Sequence, residues 1–308
     1  MAMNSAEFLQ KTIAKEVGCS GIGLHSGKTV HMRIKPAPVN HGIRFARTDL
    51  PNRPSVAARF NKVVDTSLAT VIGDEGFIVS TIEHLMAAFS GLAIDNAIVE
   101  ADAYELPMMD GSAGPFVHFI KSAGLQIQSA PRIFFVVNEP IELEENDKFV
   151  GIYPAPHYRV TCTIAFDHSP VIQTQTHDLI VTPQRFEKEV AKARTFCFLQ
   201  EVEYMQKFGL AQGGSLENAI VIDGDHILNE EGLRFKNEFV RHKLLDCIGD
   251  FSLIGLPIMG HVVARRSGHA FNHAFLEKFF LEKGSWQTRT VETPNGWPTG
   301  AALKQLAN

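Results

Sequence analysis

Cysteine is scarce in this chain. Four residues, Cys19, Cys162, Cys197 and Cys247, stand far apart, and none belongs to a Cys-x-x-Cys pair. That pattern excludes a disulfide scaffold, a zinc ribbon and a thioredoxin-like redox motif, and it fits a reducing cytosol. No apolar run approaches the ~20 residues that a membrane span needs. Residues 1–10 also lack the apolar core of a signal peptide. Basic excess is missing too: the net charge is −5, so bulk affinity for nucleic acid is not expected. What remains is an ordinary balance of 45% hydrophobic and 20% charged residues over 308 positions, enough for two modest domains. The expectation is a cytoplasmic, monomeric, folded protein of mixed α and β structure without an integral membrane segment.

Between these exclusions lies a series of short periodic segments. Over 28–36, Val30, Met32 and Ile34 alternate with polar residues, which predicts a half-buried strand. The glycine-rich turn at 21–29 precedes it. A phosphate loop would need its first glycine at Ile22, and no dinucleotide fingerprint fits. A helix is expected after Ser80, with Glu83 as its capping-box partner. Ile82, Leu85, Met86 and Phe89 form its apolar face; His84, Ala87, Ala88 and Gly91 form a face that another backbone can approach closely.

A strand at 97–100, a turn at Met109-Asp110-Gly111-Ser112 and a helix at 115–123 complete a first domain, 1–126. The stretch 124–132 reads as a polar break. The second domain, 127–283, holds strands at 134–137, 149–153, 158–166, 219–222 and 258–266. Its helices are expected at 183–193, up to Lys207, at 237–253 and at 270–281. Residues 284–308 read as a polar C-terminal tail. Strands grouped before helices in each half predict an α+β fold rather than a doubly wound parallel sheet.

The sharpest chemical signal is Arg241-His242-Lys243-Leu244-Leu245-Asp246-Cys247-Ile248-Gly249-Asp250. In a helix His242, Asp246 and Asp250 form one stripe, four residues apart. Phe239 and Leu245 flank that stripe at roughly 60° on either side. A polar row embedded between apolar flanks is costly unless a divalent metal or a cationic partner satisfies it. Hydrolytic zinc commonly keeps two histidines, a carboxylate and a water. His242 and Asp246 would supply two ligands, and His84 is the best third candidate, because Glu83 beside it can act as general base. Spacing alone leaves plainer readings open: a structural His242–Asp246 pair, a capping Glu83, and a core histidine at 84.

Several segments recur here in a telling order: Gly23-Leu24-His25-Ser26-Gly27, Val79-Ser80-Thr81-Ile82-Glu83-His84-Leu85, Met109-Asp110-Gly111-Ser112-Ala113, Arg194-Thr195-Phe196, Phe239 to Asp246, and Ser267-Gly268-His269. Together they resemble the UDP-3-O-acyl-N-acetylglucosamine deacetylases of lipid A biosynthesis, across about residues 10 to 282. The resemblance implies two similar two-layer α/β sandwich domains facing across an active-site cleft, and a hydrolytic Zn2+. It implies zinc ligation by His84, His242 and Asp246, with Glu83 as general base and His269 as general acid. Thr195 and Lys243 would contact the reacting centre and substrate, and Asp250 would orient His269 and keep it protonated.

The implied substrate is a small molecule, an acylated UDP-sugar that loses acetate from its acetamide. Phe196 and Phe198 would border an acyl passage, Phe166 would stack on uracil, and Arg266, with Arg265, would meet the diphosphate. As residues alone, the phenylalanines read equally as core aromatics and the arginines as a solvated basic edge. Three positions depart from the family pattern: Ala69 stands where some relatives carry cysteine, Cys197 where glycine is frequent, and Glu201 where aspartate is common. Two rival readings are another zinc amidohydrolase, such as a peptidase, and a non-catalytic acyl-chain or nucleotide-sugar binder. No His-Glu-x-x-His motif supports the first, and simple binding needs neither Glu83 nor His269.

Overall fold

The alternation at 28–36 produces the strand expected of it, Thr29–Pro36, with Val30, Met32 and Ile34 buried. In the computed structural model, which describes residues 8–290, this strand is second in a five-stranded sheet. The order is Val17–Ile22, Thr29–Pro36, Ala97–Ala101, Ile43–Arg47, Ser55–Ala57, and the pair Ile43–Arg47 with Ala97–Ala101 is parallel. The second half builds a seven-stranded sheet around Ile258–Arg265. That strand pairs antiparallel with Lys148–Tyr153 and parallel with both Tyr158–Phe166 and Ile133–Val137. With several sheets and six α-helices among the described residues, the fold is mixed α+β. No helix among them is long and apolar enough to cross a membrane.

The helices are α1 (Glu83–Gly91), α2 (Gly114–Ala123), α3 (Pro183–Glu189), α4 (Leu199–Lys207), α5 (Glu238–Ser252) and α6 (His269–Leu281). α1 comes from the first half of the chain and α5 from the second, and the two pack directly on each other. Gly249 makes this crossing close: a Cβ there would lie 2.1 Å from the Glu83 carbonyl oxygen. At the far end of α1, Gly91 leaves room for the Phe186 ring. Both helices are buried almost throughout. The charged row on α5, His242, Asp246 and Asp250, is thereby buried.

Three expectations need correction. The stretch 124–132 is not a polar break, because Leu125–Pro131 is a strand paired antiparallel with Leu9–Ile13. A cut at 126/127 therefore falls inside a strand. Part of the supposed tail is also sheet: Trp286–Thr290 pairs with Ile133–Val137, and Trp286 stacks on Phe279. The remainder, 291–308, lies outside the described residues. Finally, Ser80 does not cap α1. Its N–H bonds to Tyr104 O, Thr81 turns the chain at φ 60°, and Ile82 stands at the N-cap without a side-chain bond. Glu83 is thus released from the capping role.

Candidate metal centre

α5 and α1 bring three donors together. His84, His242 and Asp246 each offer one ligand atom, and these atoms lie within 4.8 Å of one another. His242 Nδ1 bonds to Ala193 O at 3.0 Å, so Nε2 carries the lone pair that faces Asp246 Oδ1 at 3.4 Å. His84 Nε2 approaches the same oxygen at 3.7 Å, and the two imidazole rings meet edge to face. Asp246 Oδ1 is buried with no hydrogen-bond donor on it. Its other oxygen accepts from Lys243 Nζ at 2.9 Å.

The protonation states match a cation site. Burial, and then the charge of His242, pushes His84 down to about 3. Burial also lowers His242. Burial alone would raise Asp246, but His242 and Lys243 beside it hold the carboxyl well below the usual range. Two neutral imidazoles and an ionised carboxylate, one of its oxygens orphaned and aimed between them, are what a divalent metal requires. The donor set fits zinc.

Two further groups flank the donors. Glu83, buried at the start of α1, accepts from the Thr70 N–H at 3.0 Å, and burial raises its carboxyl to about 7. At the start of α6, His269 Nδ1 lies 2.8 Å from Asp250 Oδ2. Burial would lower His269, but the Asp250 charge and hydrogen bond, with Glu83 and Asp246, outweigh it and raise the ring to about 9. Asp250 is not among the metal-donor atoms. The helical stripe therefore divides: His242 and Asp246 face the cation site, while Asp250 faces His269.

The sequence pattern of the family described as UDP-3-O-acyl N-acetylglycosamine deacetylase matches residues 10–281. The chain belongs to this deacetylase family. A UDP-3-O-acyl-N-acetylglucosamine deacetylase from Myxococcus xanthus is 48% identical over 285 residues, covering 92% of this chain and 90% of the relative. One from Anaeromyxobacter sp. (strain Fw109-5) is 48% identical over 300 residues, covering 96% and 98%. One from Syntrophus aciditrophicus is 44% identical over 281 residues, covering 91% and 89%.

Around the deacetylase centre, the segment before the strand Phe196–Phe198 is tied down on both sides. Thr195 N–H donates to Gly111 O, and Thr195 O accepts from Ile220 N–H. Gly111 sits at φ +78°, where a Cβ would strike Asn218 O at 2.0 Å, so the turn admits only glycine. Arg194 is buried and paired with buried Glu238 at 3.0 Å, which anchors the segment beside His242. Phe166, Phe196 and Phe198 do converge, with centroids 5.7 Å and 6.2 Å apart around Phe166. His168 joins them 5.4 Å from Phe198, a member the sequence reading missed. Lys243 Nζ lies 5.7 Å from the Phe196 centroid.

Other candidates are placed less simply. Arg266 is held by two exposed carboxylates, Asp147 and Asp167. Arg265 lies over the Phe149 ring, 4.5 Å from its centroid. Burial pushes the Cys197 thiol up to about 11, so it presents no thiolate. Glu201 accepts from the Phe198 N–H at the start of α4. Ala69 is buried just before Thr70. His25 is held through its backbone, whose N–H donates to Glu105.

Proposed function

We propose that this chain is a zinc-dependent deacetylase that hydrolyses the acetamide of UDP-3-O-acyl-N-acetylglucosamine, releasing acetate and UDP-3-O-acyl-glucosamine, a step of lipid A biosynthesis. One observation carries the reading: the orphaned Asp246 oxygen converges on two neutral imidazoles, with Glu83 and His269 beside them. His84, His242 and Asp246 hold the ion. Zinc, when bound, polarises the acetamide carbonyl and lowers the pKa of water towards neutrality. Glu83, poised near 7, takes a proton from the attacking water.

The Thr195 hydroxyl donates to the developing oxyanion, a contact commonly worth about 3 kcal/mol. Lys243 keeps one N–H on Asp246 and has two left for substrate. His269, bonded to Asp250 through Nδ1, gives the proton on Nε2 to the departing nitrogen, because an amide nitrogen does not leave as an anion. The carbon–nitrogen bond then breaks to acetate and a free amine. Phe166, Phe196 and Phe198 border the acyl chain and uracil. Arg266 meets the diphosphate by exchanging Asp147 and Asp167, since exposed ion pairs are weakly held.

The same reading makes the chain two similar two-layer sandwiches facing across the cleft, the domains being 1–126 and 127–283. The second is extended by the strand Trp286–Thr290, and the junction lies at the strand Leu125–Pro131. The separate five- and seven-stranded sheets, joined at the α1–α5 crossing, support it. It also takes the enzyme to be a cytoplasmic monomer acting on a small molecule. The purified, zinc-loaded protein should release acetate from this substrate, and no release would end the assignment.

The pH dependence has a definite sign. Glu83 must be ionised and His269 protonated to act, so the rate should rise as pH climbs through about 7, hold between the two values, and fall as pH rises through about 9. Asp250→Asn removes the charge that raises the ring, and the descending limb should move to lower pH by about one unit or more. A limb that stays in place in this variant would detach it from His269.

A further inference from the structure

Thr70 stands in no recognisable motif, yet it touches both ends of the proposed proton path. It is 2% exposed. Its N–H donates to Glu83 Oε2 at 3.0 Å, and its carbonyl accepts from the Ile82 N–H at the start of α1. Its hydroxyl lies 2.6 Å from Asp250 Oδ1 and 3.3 Å from His269 Nδ1. We propose that Thr70 is a positioning residue for deacetylation, whose backbone sets the base Glu83 and whose hydroxyl sets the acid pair Asp250–His269. The inference rests on the deacetylase reading above.

A carboxylate only accepts hydrogen bonds, so the Thr70 hydroxyl is the donor to Asp250, and the short contact is a charge-assisted one. The second oxygen of Asp250, Oδ2, accepts from His269 Nδ1 and Asn272 Nδ2, each at 2.8 Å. Both oxygens are thus occupied by donors from two separate segments, and the carboxylate cannot turn without breaking one bond. A fixed Asp250 fixes the plane of the His269 ring and the aim of Nε2.

Base and acid reach the site from α1 and α6, which belong to opposite halves of the chain. Thr70 is the residue that bonds to the machinery of both. Losing its hydroxyl leaves Oδ1 of a buried carboxylate without a donor and lets the acid swing. Small misplacements of that kind slow the reaction without weakening substrate binding. A hydroxyl that served folding alone would lower the melting temperature and leave kcat unchanged.

The test compares Thr70→Val, equal in volume but without a donor, with Thr70→Ser, which keeps it. Both are assayed as zinc-loaded protein for acetate release, zinc content and melting temperature. Thr70→Val should lose about 10- to 100-fold in kcat. Its KM should stay within about threefold of wild type, with zinc content unchanged. Thr70→Ser should stay within about threefold of wild-type kcat, and Thr70→Val should add little in an Asp250→Asn background, because the two residues act as one unit.

Wild-type kcat in Thr70→Val, equal losses in the Val and Ser variants, or full multiplicative losses with Asp250→Asn would each overturn the proposal. Should Thr70→Val fail to fold, Thr70→Ala is judged by the same criteria. An inactive wild type would overturn the deacetylase reading and this one with it. An active wild type beside an unaffected Thr70→Val overturns this one alone.

Discussion

Glu83→Gln should lower kcat for acetate release by about 10²- to 10⁴-fold, the usual worth of a placed general base. The substitution keeps shape and a carbonyl oxygen to accept from the Thr70 N–H, so the start of α1 should hold its geometry. What disappears is the proton acceptor. Burial has raised the Glu83 carboxyl to about 7, where a base is half ionised at neutral pH and still strong enough to take a proton from water. Zinc content and melting temperature should remain near wild type, because Glu83 is not among the three clustered donors. Full activity in the variant would remove Glu83 from the chemistry. Loss of zinc would make it a ligand instead.

Asp246→Ala and Asp250→Ala should behave differently, although the residues lie one helical turn apart. Asp246 supplies the only carboxylate oxygen of the His84–His242 cluster, and that oxygen has no other partner. Its removal leaves two imidazoles, and zinc content should drop from about one ion per chain to near zero after dialysis, with activity lost in step. Asp250 has both oxygens engaged by Thr70, His269 and Asn272, away from those donors. Asp250→Ala should keep its zinc and lose about 10²-fold in rate through a misaligned, less basic His269. Metal analysis of the two variants decides the matter. Equal zinc loss in both would restore a single three-residue metal stripe.

The elements that the sequence made legible are those whose signal is local. Val30, Met32 and Ile34 alternate because one face of their strand is buried. The α5 stripe repeats every four residues because a helix turns in about 3.6. The strands that escaped notice depend on distant partners. Leu125–Pro131 leaves Leu125 and Ile127 exposed, so nothing in its own pattern marks a buried face, and it is a strand because Leu9–Ile13 pairs with it. Trp286–Thr290 likewise follows from Ile133–Val137, some 150 residues earlier. Ser80 and Glu83 had the spacing of a capping box, but pairing of Ser80 with the Tyr104–Glu105 segment drew it out of reach of α1.

The candidate site divides along the same line. Sequence by itself determined the ingredients: a histidine and two aspartates on one helical stripe, a Glu83-His84 pair, and His269 after a glycine. It also determined the family, through motifs that recur in order. The family resemblance implied which aspartate serves the cation site and which serves His269, but the spacing on α5 did not. The assignment depends on what α1, α6 and the turn before Val71 bring against α5. Thr70 entered the site only with the tertiary structure. Its two bonds, to Glu83 13 residues away and to Asp250 180 residues away, follow no repeat that a sequence pattern could carry. The Arg241–Asp250 periodicity is set by the geometry of one helix. The division of labour within it is set by packing between chain segments that share no local sequence, and α1 can approach that closely because position 249 has no side chain.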